Sequence, residues 1–198
     1  MYISHKSPSM KNKKPLLLAL LCITVTGCIA QGRIDSTSLI FPKILVVKDN
    51  KEVLMSFDKN RQAFEVPGDL LVGKTGFKNF VDTLTTELGV SYSSLRTGGF
   101  FTYTVPGRYG VILRPYFVVT FSGYKNKGGL PDTAGHKWLK LSDAIDLIPY
   151  PASAMIVKQV LEQPRVVWAA TFEEYGYTNP VDKSKVKFRV IDAFYRLN

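Results

Sequence analysis

Residues 68–90 constrain the fold more than any other stretch. They read Gly-Asp-Leu-Leu-Val-Gly-Lys-Thr-Gly-Phe-Lys-Asn-Phe-Val-Asp-Thr-Leu-Thr-Thr-Glu-Leu-Gly-Val. Phe77, Phe80, Val81, Leu84 and Leu88 recur at helical spacing, so one face of a helix is apolar and turned to a core. Thr75 stands where a helix start is capped, and Gly89 where a left-handed residue ends one. Lys78 and Asp82, four positions apart, are placed to pair on the solvent side.

The same residues resemble a Nudix box, G-x5-E-x7-R-E-U-x-E-E-x-G-U with U a bulky aliphatic. Gly68, Leu84, Glu87, Gly89 and Val90 fall in register without a gap. Lys74 stands at the first Glu of the pattern, Asp82 at the Arg, and Thr83 and Thr86 at two metal-binding Glu positions. Upstream, Phe64-Glu65-Val66-Pro67-Gly68 resembles the W-E-x-P-G-G that precedes many such boxes, with Phe64 for the Trp and Asp69 for the second Gly.

The resemblance implies a metal-dependent cleavage of a diphosphate bond. Mg²⁺ and Mn²⁺ are hard ions that seek carboxylate oxygens, and they position phosphate and activate the attacking water. Here the implied metal face carries Thr83, Thr86 and Glu87, one carboxylate and two hydroxyls. The sequence therefore leads to a non-catalytic or impaired binding module, with no cofactor expected. The ligand-pocket candidates are Glu65, Gly68, Lys74, Thr83, Thr86 and Glu87. No catalytic residue is assigned, and Glu87 is the metal ligand if there is one. The alternative is an active Mg²⁺ or Mn²⁺ hydrolase of a nucleoside diphosphate-linked or other diphosphate substrate, drawing carboxylates from Glu65, Asp69, Asp82, Asp132 and Glu87. Asp82 and Glu87 are five positions apart on the helix and so diverge.

Another signal competes. Gly68-x4-Gly73-Lys74-Thr75 satisfies the spacing of the phosphate-binding loop G-x-x-x-x-G-K-T. That loop belongs to repeated βαβ units, whereas only a short apolar segment precedes this one and antiparallel strand patterns follow it. A nucleoside triphosphatase is rejected on that ground.

The N-terminus reads as a targeting segment. Lys11, Lys13 and Lys14 precede an apolar run from Leu16 to Val25, too short to span a bilayer comfortably. Val25-Thr26-Gly27-Cys28 resembles the lipobox of bacterial lipoproteins, which implies cleavage before Cys28 and acylation of its thiol. Cys22 would leave with the signal, and Cys28 would be the sole thiol of the mature chain. No acidic residue follows Cys28 directly, which by the same resemblance implies the outer membrane, facing the periplasm. The expected partners are the bilayer, through Cys28, and an unidentified small molecule or protein.

Charge bears on partners. The net charge is +10, but the first 27 residues hold four Lys and no acid, leaving 22 basic against 16 acidic side chains. That balance permits anionic ligands without requiring nucleic acid, and no basic–aromatic nucleic-acid motif is present.

The expected organisation is a signal at 1–27, a tether at 28–40, a Nudix-like domain at 41–163 and a C-terminal β extension at 164–198. The fold class is α+β, a mixed curved sheet packed between helices. Strands are expected at Ile44–Val47 and Val53–Phe57, joined through Asp49-Asn50 as a hairpin. Further strands are expected at Phe100–Thr104 and Val111–Ser122, the second interrupted by Pro115, which suggests an edge or a bulge. Gly123 to Gly135 reads as a loop. A short Trp138 strand then leads to Ser142-Asp143, which reads as a helix cap, and Ala152–Leu161 reads as the closing helix. In the extension, Val166–Trp168 and Lys185–Val190 read as strands. Val186, Phe188 and Val190 face inward in the second, against a basic outer face. His136, near Trp138, could line the pocket, but a lone loop His is more often a polar surface residue.

Overall fold

The computed structural model describes residues 38–73, 75–107, 109–126, 129–130 and 135–198. The expected signal segment, Cys28, most of the tether, Lys74 and Asp132 lie outside the described residues.

Chain order runs β1 (Leu39–Ile40), β2 (Lys43–Lys48), β3 (Glu52–Asp58), β4 (Ala63–Glu65), α1 (Phe77–Glu87), β5 (Val90–Val105) and β6 (Tyr109–Tyr124). It continues with β7 (His136–Lys140), α2 (Leu141–Leu147), α3 (Pro151–Glu162), β8 (Trp168–Tyr175) and β9 (Lys187–Arg196). The strands form one open sheet, ordered β4-β3-β2-β6-β5-β8-β9, with β1 also beside β6 and β7 also beside β3. Pairings of β1 and β2 with β6, and of β5 with β8, are parallel; the others are antiparallel.

Alternation along the strands divides two cores. Ile44, Val46, Leu54, Phe117 and Val119 face α1, where Phe80, Val81 and Leu88 meet them. Leu45, Val53, Met55, Tyr116 and Val118 face the opposite way, against Ala144 of α2 and Ile156, Val157 and Val160 of α3. A mixed sheet between helices is thus observed, as expected from the sequence.

Turn chemistry explains the β2–β3 hairpin. Asp49 and Asn50 both have positive φ, 52° and 54°, and the Lys51 N–H donates to the Lys48 carbonyl at 3.0 Å. Both central residues of a primed turn, here from Lys48 to Lys51, need that conformation. Gly89, at φ 69°, ends α1 as expected.

Several local expectations are corrected. The N-cap of α1 is Gly76, not Thr75, and no side chain caps it. α2 begins one residue before Ser142, with Lys140 at the cap, and the Ser142 hydroxyl donates to Asp143 instead of to the helix. β5 begins at Val90, ten residues before the strand expected at Phe100. Its register shifts at Ser91/Tyr92, Tyr92/Ser94 and Thr97/Gly99 break the simple alternation by which a strand is recognised. Pro115 lies in a central strand, not at an edge. It sits where β1 has ended, with Ile40 opposite Leu113, and β2 has not begun, with Lys43 opposite Tyr116. A break in the neighbouring strands relaxes the demand for a donor there.

Residues 164–198 continue the sheet. β8 lies parallel to β5, from Gly99 opposite Trp168 to Thr104 opposite Glu173. Trp168, Ala170, Phe172 and Val186 enter the α3-side core. Val190 is 43% exposed, against the expected alternation. Val190 lies opposite Phe172, and the β9 side chains that pack on the core are Phe188 and Phe194.

Candidate functional site

The backbone around Gly68 brings the box to the sheet. Gly68 bridges to Lys43, and the Ile44 N–H donates to the Pro67 carbonyl at 2.8 Å. A Cβ at Gly68 would lie 2.4 Å from Lys43 Cδ and 2.5 Å from the Pro42 carbonyl oxygen. Glycine is required here by close approach of two backbones.

Beyond Gly68, α1 and the loop before it enclose a groove of about 190 Å³, lined among others by Asp69, Leu70, Phe80, Thr83, Leu84 and Glu87. Thr83 and Glu87 share a helix face, as their spacing requires. Thr86 does not line it. Its hydroxyl donates to the Asp82 carbonyl at 2.6 Å and accepts from Lys125 Nζ at 2.6 Å. Asp82 is also turned away, accepting from Lys78 Nζ at 2.7 Å and from the Tyr92 hydroxyl at 2.6 Å. The Lys78 and Tyr92 bonds hold its carboxyl below the usual carboxylate range. The divergence of Asp82 from Glu87 follows the helical geometry.

Asp69 and Glu87 are the carboxylates of this groove. Among the described residues, no three His, Cys, Asp or Glu side chains cluster closely enough to hold a metal. Two exposed carboxylates beside a threonine are a poor donor set for a hard dication that keeps its water tightly. The groove residues do not fit a resident Mg²⁺ or Mn²⁺.

Glu65 belongs to a different place. Across Leu70 lies a larger cavity of about 390 Å³, whose polar lining includes Lys43, Arg61, Glu65, Arg114, Tyr150 and Tyr177. Leu39, Phe41, Leu70, Val105, Ile112 and Val181 supply its apolar lining. Glu65 is bound on both sides, by Lys43 Nζ at 2.8 Å and Arg61 Nη1 at 3.2 Å. Burial pushes its carboxyl up, but Lys43, Arg61 and Arg114 outweigh burial and hold it below the usual range. Burial lowers the Lys43 ammonium despite Glu65. Arg61 also donates to the Tyr150 hydroxyl at 3.2 Å, and burial pushes that phenol up to about 12.

Arg114 is the least satisfied of the cations. Its guanidinium lies 4.1 Å from the Tyr103 ring centroid. Its Nη1 is 3.5 Å from Ser153 Oγ and 4.0 Å from Glu174 Oε2. Among the described residues its buried Nε has no hydrogen-bond partner, whereas the buried Tyr103 and Tyr116 hydroxyls have Ser153 beside them and the Glu174 carboxylate has the Ala152 backbone. Buried polar groups are almost always paired, so that orphan donor asks for an explanation. Burial raises the Glu174 carboxyl, and the Tyr177 hydroxyl donates to its Oε2.

Of the sequence candidates, Thr83 and Glu87 share the groove, Glu65 lines the cavity, Gly68 is a packing contact and Thr86 faces Lys125. Lys43, Arg61, Arg114, Tyr150 and Tyr177 were not singled out from the sequence. One signal was there to read: Lys43 and Arg114 are lone cations inside apolar strand runs. His136 lines neither space; half-buried, it shares a 2.8 Å hydrogen bond with Ser56 Oγ.

No protein-family model matches the chain, and no curated protein matches it in sequence. Solved structures do match. The MutT protein of Bacillus halodurans aligns with a TM-score of 0.60 at 18% identity, over 77% of this chain and 97% of that one. A NUDIX hydrolase from Nitrosomonas europaea aligns at 0.51 and 13% identity, over 62% and 88% of the two chains. The E. coli ORF135 protein aligns at 0.51 and 17% identity, over 65% and 92%. At such identities the likeness concerns architecture alone. The chain has a Nudix-like fold, an open mixed sheet between helices.

Proposed function

We propose that this protein is a Nudix-fold binding module whose box does not support metal-dependent hydrolysis, and that it holds its ligand in the cavity of Lys43, Arg61 and Arg114. The observation that carries the reading is the groove beside α1, where among the described residues only Asp69 and Glu87 bring carboxylates, beside Thr83. Catalysis of phosphoryl transfer depends above all on stabilising the charge that develops on the transferring group, and that needs metal and several acids together. The cavity offers instead cationic, aromatic and apolar walls, the composition of a small-molecule site.

The test is a calorimetric Mn²⁺ titration beside a panel of diphosphate-linked substrates. No saturable metal binding and no turnover above background are expected. Turnover that is lost in Glu87→Gln would overturn the reading in favour of an active hydrolase. The meeting of groove and cavity at Leu70 is the observation on that side, since a two-ended substrate spanning both would pass there.

The reading extends to placement. With the lipobox-like Val25-Thr26-Gly27-Cys28, the module is an outer-membrane lipoprotein facing the periplasm, acylated at Cys28. Intact mass of the membrane fraction should carry the lipid, and Cys28→Ala should release the protein or leave it unprocessed. A Cys28→Ala chain that stays membrane-bound and is cleaved elsewhere would refute the anchor.

A further inference from the structure

The larger cavity has a wall that the box region does not supply. Tyr177, Thr178, Asn179 and Val181 line it from the segment between β8 and β9. This wall is fastened at several points. The Val181 N–H donates to the Arg61 carbonyl at 3.0 Å, and the Asp182 N–H to Thr178 Oγ1 at 2.7 Å. Lys183 Nζ donates to the Asp146 carbonyl at 2.7 Å. The Tyr177 ring packs on Tyr150 at a centroid separation of 5.6 Å.

The cations divide by what they already bind. Lys43 and Arg61 both hold Glu65, and Arg61 also pairs with Asp58 at 3.5 Å. Arg114 is held more loosely: its Nη1 lies 3.5 Å from Ser153 Oγ and 4.0 Å from Glu174 Oε2, and its side chain keeps 14% exposure. A guanidinium presents a rigid fork that matches a carboxylate or a phosphate with two parallel hydrogen bonds. The Tyr103 ring stacks against it, and Tyr150 and Tyr177 line the same cavity. A second phosphate in the same cavity would meet the Glu65 carboxylate, and among the described lining residues no further loosely held cation faces it.

We propose that the cavity takes a compact organic anion, an aryl or alkyl carboxylate or phosphate monoester seated on Arg114, and that the segment Tyr177–Val181 is the specificity-determining wall against which the ligand's aromatic or apolar body rests. This rests on the reading of the cavity as the binding site. The volume of about 390 Å³ admits a small molecule.

The test uses the full chain and calorimetry with phenyl phosphate, benzoate, neutral benzyl alcohol and ADP. Saturable binding of phenyl phosphate or benzoate is expected, at least tenfold tighter than benzyl alcohol and tighter than ADP. Arg114→Lys keeps the charge and loses the fork, and should weaken the bound anion at least tenfold. Tyr177→Leu and Asn179→Ala should each weaken it about threefold or more, with thermal melting checking that the variants fold. Should Arg114→Lys not fold, the two wall variants decide. Binding of benzyl alcohol or ADP as tight as that of the anions overturns the proposal, as does affinity unchanged in the folded variants. Turnover of a diphosphate alongside Arg114-dependent anion binding would defeat the non-catalytic reading and leave this one standing. Failure of both anions to bind, with hydrolysis still absent, would defeat this one alone.

Discussion

Glu65 shows how a single side chain can be committed by its neighbours. Its position beside the box made it a candidate ligand residue, yet Lys43 and Arg61 neutralise it inside the cavity. The Lys43 and Glu65 side chains are only 6% and 13% exposed. Removing one partner of so buried a pair leaves an uncompensated charge, which costs about 3–5 kcal/mol. Glu65→Gln is expected to destabilise by that order at neutral pH, read as a shift in urea midpoint. The sign with pH follows from the depressed carboxyl of Glu65. A lowered folded pKa contributes stability that is present above the ordinary value of 4.5 and lost as pH falls through the folded value. The gap between wild type and Glu65→Gln should therefore close in acid; a gap that widens there would show the pair is misread.

At the scale of the element, α1 docks through few residues. Val81 and Leu88 are fully buried, 0% and 3% exposed, whereas Leu84 is half-buried at the groove and Thr83 is exposed. Leu88→Ala should cost about 2–5 kcal/mol, Leu84→Ala less, and Thr83→Ala within about 0.5 kcal/mol. Chemical denaturation of the three variants gives the order directly, and a reversed order of Leu88 and Thr83 would mean that the helix face is wrongly assigned. Gly68 governs the approach of the preceding loop. Gly68→Ala forces its Cβ onto the Pro42 carbonyl at 2.5 Å, where no flexible group can yield. A loss of about 1–3 kcal/mol is expected, as for overpacking.

For the whole molecule, the question is whether the C-terminal strands are an appendage. They carry Trp168, Phe172 and Val186 into the core shared with α3, and β8 covers the edge of β5. Gly99 lets β8 come close, since a Cβ there would lie 2.4 Å from the Trp168 carbonyl oxygen. A chain ending at Pro164 would expose that edge and that core. It should lose its cooperative thermal transition, seen by circular dichroism, and with it the wall of the cavity. A truncated chain that melts as sharply as the full one would show that the first 164 residues fold alone.

The amino-acid sequence by itself determined the local elements. The apolar spacing of Phe77 to Leu88 specified α1, Asp49-Asn50 the hairpin, Pro151 and the residues after it α3, because helical period and turn chemistry act within a few residues. The box frame also carried the resemblance to the fold, since a helix with Glu87 and Gly89 at its end is a local pattern. What only the tertiary structure decided depends on residues far apart in the chain. β5 could not be traced from Val90, because its shifted register hides the alternation and its pairing is set by β6 and β8. The cavity was not legible either. Lys43, Arg61, Arg114, Tyr150 and Tyr177 meet only after two parallel pairings, β2 with β6 and β5 with β8, bring distant segments into one sheet. A parallel pairing leaves no short turn in the sequence to announce it, so its consequences, including which cation is held loosely, appear only in three dimensions.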